Sequence, residues 1–278
     1  MDIINSDYNS LKPYTSQFVQ NKPFPHILLN NFFKDEFFEN INCEVEKFND
    51  KTNGKNFNST VEKNKWISLN SRLPHILSMI IHTLNTESWL TNLEDLTKIK
   101  FLTSTINDNT NLANYHEMKR DGFLGSHVDH SFEIGTGYPH VLNIILYISD
   151  QWSDNFGGGT TFFDKDGNKL RKVIQYKPNT ALIFLHSPFS FHGVEVINSD
   201  CLLTRRTIYI DYYSKSHQPF ENLELPFDKK FFPHGTTFKL PNLSNYLKKS
   251  NIKYIKPFVK YTLNKHLHKF NISIGQKS

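Results

Sequence analysis

The chain of 278 residues carries 32 Lys and Arg against 27 Asp and Glu, a net charge of +5, and is long enough for one large domain or one domain with an appendage. Its two cysteines, Cys43 and Cys201, exclude a disulfide framework and a zinc–thiolate site and fit a reducing compartment. The charge is uneven: residues 229–278 hold 11 lysines and no acidic residue, so the rest of the chain is net −6.

Met1 to Asp7 is polar and lacks a secretory signal layout, and no apolar run approaches the ~18 residues of a membrane span. The expectation is a cytoplasmic protein, with a peripheral contact at a membrane surface left open by the basic tail.

Residues 1–22 read as a loose polar segment, followed by a short strand at Pro23 to Leu29. A helix opens at Lys34-Asp35-Glu36 with Phe37, Ile41 and Val45 at helical spacing. Asp50 to Asn64, rich in Asn and Lys, reads as a mobile loop. A second helix follows around Leu73 to Leu84, and a short helical turn spans Trp89 to Leu96.

From Ile99 the period turns to that of strands. Candidates are Ile99–Ser104, Leu112–Lys119, 140–149, 159–164, 172–176, 180–186, 192–197 and 205–213, separated by Gly, Asn, Asp and Pro clusters. Helices first and strands later predict an α+β, mainly β fold. Its core would be a jelly-roll, double-stranded β-helix with the N-terminal helices packed on one sheet.

The candidate metal site is His127-Val128-Asp129 with His192, 63 residues after the aspartate. Two imidazoles and one carboxylate form the facial triad that holds non-haem Fe(II) with open positions. His127 and Asp129, two apart, share a strand face, and His192 is preferred over His186, which ends an apolar strand. A 2-oxo dicarboxylate chelating such a metal needs a cationic partner for its far carboxylate, and arginine's planar fork suits it.

Periodicity alone allows Arg205 or Arg206. The apolar residues alternating with Arg206 (Ile208, Ile210, Tyr212) look like helix packing, which favours Arg205 for the pocket. Tyr147 could supply a second hydrogen bond to the same carboxylate or be an ordinary half-buried tyrosine, and Asn143 on its strand face is a further co-substrate candidate.

These residues resemble the Fe(II)/2-oxoglutarate-dependent dioxygenase superfamily, on its prolyl-4-hydroxylase-like side, over residues 20–214. Closest in pattern is a group of bacterial oxygenases with a segment like His116 to Leu124 ahead of the His-x-Asp pair. The Arg-x-Thr-Ile pattern matches at Arg205, and Tyr147 takes the place of a tyrosine that bonds the co-substrate, although Ser149 departs from the usual asparagine. The resemblance puts His116 or Glu117 near the metal-side end of the co-substrate.

It implies Fe(II), 2-oxoglutarate and O2, with ascorbate a further option, and a dioxygenase that hydroxylates an unactivated C–H bond while releasing succinate and CO2. The substrate class stays open among a small molecule, a glycan or lipid precursor and a peptidyl residue, prolyl included. The reading from a different class is a non-catalytic metal- or sugar-binding jelly-roll module.

The domain reading is an N-terminal segment 1–22, a dioxygenase domain 23–214 and a basic helical extension 215–278. In the extension Asn242 caps one short helix, and a second opens at Pro257 with Val259, Leu263, Leu267 and Phe270 in a stripe. Region 242–270 could meet an anionic membrane or acidic partner, or dock on this domain or on a second copy in a homodimer. The absence of arginine and of a known motif there argues against nucleic acid.

Overall fold

The computed structural model describes residues 3–48, 54–104, 114–133, 136–215 and 236–239. The helices are α1 (Thr15–Gln20), α2 (Asp35–Lys47), α3 (His75–Thr83) and α4 (Glu87–Thr97). The strands are β1 (His26–Asn30), β2 (Gly54–Phe57), β3 (Glu62–Ser68), β4 (Leu102–Ser104), β5 (Tyr115–Val128) and β6 (His140–Tyr147). They continue with β7 (Thr160–Phe163), β8 (Leu170–Ile174), β9 (Thr180–Leu185), β10 (His192–Val194), β11 (Arg205–Ser214) and β12 (Thr237–Phe238).

All the pairings are antiparallel, in the order β1-β9-β6-β11-β5-β10-β7-β8. The long β5 joins the two halves: Tyr115 to Met118 pair with β11, whereas Leu124 and His127 pair with β10. The sheet curls through β5 into the double-stranded β-helix expected from the strand series.

Burial explains the apolar runs. All eight residues of β6 are buried, as expected of a strand covered on both faces. Leu142, Ile144 and Leu146 face a core shared with the helices, including Ile41, Ile80, Trp89 and Leu93. Ile145 and Tyr147 turn inside the barrel with Phe162, Leu182 and Phe184. On β11 the same alternation sends Ile208, Ile210 and Tyr212 to the helices and Arg205, Thr207, Tyr209 and Asp211 the other way. The layers are pinned where the Trp89 indole N–H donates to the Tyr212 hydroxyl (3.0 Å), which donates to the Leu84 carbonyl (2.9 Å).

Two expectations are corrected. The N-terminal segment is not loose: Ile4, Tyr8, Leu11 and Phe18 are buried in the helix-side core, and the Leu11 N–H donates to Asn92 Oδ1 at 2.6 Å. Nor is the Asn-rich stretch 50–64 a loop throughout. Gly54–Phe57 and part of Glu62–Ser68 form a hairpin, and β3 pairs on to β5; ladder pairing outweighs a turn-like composition. Ahead of the segment read as helical, Thr237 and Phe238 form a strand on β5. The helices read at 242–270 lie outside the described residues. Among the described residues no helix is long and apolar enough to cross a membrane.

His26, at the start of β1, donates from Nδ1 to the Phe24 carbonyl (2.8 Å) and meets Lys172 Nζ at Nε2 (2.9 Å). Burial, opposed by the Phe24 hydrogen bond and aided by the Lys172 charge, brings the imidazole down to about 4 from 6.5. Between those values the unfolded chain takes up a proton that the folded protein refuses, so acidification favours unfolding. The expected result is that the melting temperature falls from pH 6.5 to 4 by less in His26→Gln than in the unaltered protein. Parallel pH profiles would contradict it.

Candidate metal and co-substrate site

His127 and His192 face one another as a direct cross-strand pair of β5 and β10, with ring centroids 4.3 Å apart. Asp129 follows one residue past the end of β5. Its Oδ1 is 3.5 Å from His127 Nε2 and its Oδ2 3.3 Å from His192 Nε2. One ligand atom from each residue lies within 4.8 Å of the others. An ion about 2.1 Å from each donor fits between them.

The tautomers suit metal binding. His127 Nδ1 lies 2.8 Å from the Gly125 carbonyl and His192 Nδ1 3.0 Å from the Ser190 carbonyl. Each Nδ1 therefore carries a proton, leaving the Nε2 lone pairs aimed at the centre. Burial, with His192 beside it, pulls the His127 pKa below its ordinary value despite Asp129. Burial works to raise the Asp129 carboxyl, but His192 and His127 hold it well below the usual range. Neutral imidazole and ionised carboxylate are the ligating forms.

The close approach of β10 to β5 depends on Gly193, where a Cβ would lie 2.4 Å from the Leu124 carbonyl oxygen.

Deeper in the barrel, Arg205 is 4% exposed. Its Nε donates to the Gly158 carbonyl at 2.6 Å, and its guanidinium carbon lies 5.7 and 5.1 Å from the Tyr147 and Tyr176 ring centroids. Its Nη2 is buried without a hydrogen-bond partner. The Tyr147 hydroxyl donates to Thr160 Oγ1 (2.7 Å). Burial, opposed by Arg205, pushes that hydroxyl up to about 12, so it stays a neutral donor. A buried cationic donor with one face unsatisfied, beside two hydroxyls, fits a carboxylate.

Asn143 is placed at the metal end: its Nδ2 donates to Asp129 Oδ2 at 3.0 Å. His116 stands opposite Thr207 on β11, so it shares the inward face, and its ring stacks on Tyr209 at 5.9 Å. Glu117 points to the other face and accepts from the Tyr115 hydroxyl at 2.9 Å.

Three features had gone unassigned. Tyr209 donates to Asp129 Oδ2 at 2.8 Å; the β11 alternation that singled out Arg205 also turned Tyr209 inward. Thr160 and Gly158 flank Arg205 from a Gly-rich turn whose contacts depend on the fold. Phe238, opposite His127 across β12 and β5, has its ring 5.1 Å from that imidazole and is 7% exposed, an apolar wall beside the centre that carries no local signal.

The curled sheet brings the His-Asp-His cluster and the buried arginine into one barrel. Residues 110–213 match the model of the 2OG-Fe(II) oxygenase superfamily. Solved structures repeat the fold at low identity. A prolyl-4-hydroxylase from Pseudomonas putida is 11% identical at a TM-score of 0.53, covering 74% of this chain and 100% of that one. A prolyl hydroxylase from Trichoplax adhaerens, in complex with a hypoxia inducible factor peptide fragment, is 13% identical at 0.50, covering 75% and 91%. The epimerase SnoN, in complex with Fe3+, alpha ketoglutarate and nogalamycin RO, is 9% identical at 0.53, covering 84% and 96%. The chain matches no curated protein sequence.

Proposed function

We propose that this protein is an Fe(II)- and 2-oxoglutarate-dependent oxygenase that hydroxylates an unactivated C–H bond of an organic substrate: a small molecule, a glycan or lipid precursor, or a peptidyl residue. His127, Asp129 and His192 hold the iron, and Arg205 with Tyr147 receives the far carboxylate of 2-oxoglutarate. The observation that carries the reading is the unpartnered, buried Arg205 Nη2 in the same barrel as the triad. A metal-binding module would have no use for it, because leaving a buried donor unmade costs about 1–3 kcal/mol.

When bound, iron and 2-oxoglutarate supply the oxidation, releasing succinate and CO2. The protein's residues bind and orient. The two Nε2 lone pairs and one carboxylate oxygen would hold the metal, three protein donors that would leave room for further ligands. Arg205 would hold the co-substrate's far carboxylate and so restrict its orientation. Phe238 shields the His127 side from water. The C–H step itself needs no protein acid or base. The prolyl hydroxylases of similar fold make peptidyl proline one option, but SnoN is an epimerase, and a fold alone does not select a reaction.

Anaerobic titration of the apo-protein with Fe(II) and then 2-oxoglutarate is expected to give a weak visible charge-transfer band. Iron binding without the band would turn the reading toward a metal-binding module.

A further inference from the structure

Behind Asp129, on the side away from Arg205, His130, His140, His186 and Asp211 form a buried polar cluster that takes no part in holding iron or co-substrate. The three histidines are 7%, 2% and 2% exposed. Three buried imidazoles beside a partly buried carboxylate are a heavy desolvation cost for a barrel that could be filled with apolar side chains. Their contacts converge on His140, which meets the fully buried Asn143 side chain.

The chain of contacts starts at His140, the first residue of β6. Its Nδ1 lies 2.9 Å from the His130 carbonyl, an acceptor, so Nδ1 bears a proton. Its Nε2 hydrogen-bonds to Asn143 Oδ1 and lies 3.2 Å from Asp211 Oδ1. Both are acceptors, so Nε2 bears a proton too. The ring is clamped from one face by His186, stacked at 3.9 Å and 10°. Asp211 stands opposite Asn143 across β11 and β6, and its Oδ2 is 3.9 Å from His130 Nε2. His130 Nε2 in turn meets the Tyr213 hydroxyl at 2.8 Å.

The geometry fixes the direction of the Asn143 amide. With its oxygen held by the His140 Nε2–H, its nitrogen faces Asp129 Oδ2 at 3.0 Å. Without that donor the amide could turn over and set its oxygen against the Asp129 carboxylate. With it, Asp129 Oδ2 accepts two hydrogen bonds, from Asn143 and from the Tyr209 hydroxyl, while Oδ1 faces His127 Nε2 at 3.5 Å.

We infer that His140 is a positioning residue: through the Asn143 amide it commits one oxygen of Asp129 to the protein and leaves the other to bind the metal. This rests on the reading of His127, Asp129 and His192 as the metal ligands. It makes Asp129 a one-oxygen ligand and so preserves open positions that a carboxylate bound through both oxygens would reduce.

The test is anaerobic calorimetric titration of the full-length apo-protein with Fe(II), and with Co(II) as a redox-stable probe, in the unaltered protein and in His140→Leu, His140→Gln and Asn143→Ser. Outer hydrogen-bond partners of metal ligands are typically worth about 10–100-fold in affinity. His140→Leu and Asn143→Ser are expected to weaken both metals by that factor, and to weaken the charge-transfer band formed with 2-oxoglutarate. His140→Gln, whose amide can donate to Asn143 Oδ1, is expected to recover most of the affinity. A merely structural His140 would instead lower the melting temperature and leave the affinity of the folded protein unchanged, and that result overturns the inference. Should His140→Leu not fold, normal metal affinity in Asn143→Ser overturns it equally. Failure of the unaltered protein to bind Fe(II) would strike the metal-site reading first and the inference with it.

Discussion

Asp129→Ala is expected to abolish Fe(II) binding at micromolar metal and, with it, 2-oxoglutarate turnover. The loss should exceed the roughly 100-fold that an outer partner of a ligand can cost, because the ion loses its only anionic protein donor in the cluster. Two further effects add to this. The carboxylate balances the two imidazoles, whose donors lie 3.5 and 3.3 Å from it. Its removal also takes an acceptor from the Tyr209 hydroxyl and from Asn143 Nδ2. The apo-variant should therefore melt lower than the unaltered apo-protein, and added Fe(II) should no longer raise its melting temperature as binding to the native state requires. Metal-dependent stabilisation of the variant comparable to that of the unaltered protein would remove Asp129 from the ligand set.

The parts of this site legible in the sequence share one property: they follow a short-range period. Alternation along Arg205 to Tyr212 separates a pocket face from a helix face, and the structure keeps that separation because each face is buried against a different core. The continuous apolar run of β6 likewise marks a strand covered on both sides. What escaped depends on distant pairing. Phe238 belongs to a strand of two residues whose hydrogen bonds come from β5, and nothing near it in the chain announces that register. The stretch around Gly54 to Ser68 has a turn-like composition, yet its backbone is satisfied by a hairpin and by β5. Residues Ile4, Tyr8, Leu11 and Phe18 are sparse in a polar segment, and only the groove made by α4 and β1 turns them into core. His140 and His186 lie on strands otherwise apolar. Only the fold reveals that His140 meets Asn143 and Asp211, with His186 stacked on its ring.

Arg205→Met is expected to raise the concentration of 2-oxoglutarate needed for half-maximal turnover by about 10²–10³-fold, with Fe(II) affinity little changed. Breaking a buried charge pair by removing one partner costs about 3–5 kcal/mol, and each 1.4 kcal/mol is tenfold. Arg205→Lys should recover only part of this, since an ammonium offers a point charge where the guanidinium offers a fork. The Nε bond to the Gly158 carbonyl and the packing over Tyr147 and Tyr176 are matched to the longer, planar group.

The co-substrate-free protein gives the sharper distinction. There Arg205 is a buried cation whose Nη2 has no partner, and burial already pulls its pKa below the ordinary value, against the influence of Tyr147 and Tyr176. An apolar side chain of similar length should cost little stability or add some, as replacement of buried charges by apolar groups often does. The unaltered protein should gain about 2.7 kcal/mol when 2-oxoglutarate reaches 100 times its dissociation constant, and Arg205→Met at the same concentration should gain almost nothing. An arginine kept for folding would show the reverse: a large drop in melting temperature without co-substrate, and an undiminished response to it. Measuring both melting curves with and without 2-oxoglutarate separates the two roles, because an arginine held for an absent anion is costly until the anion arrives.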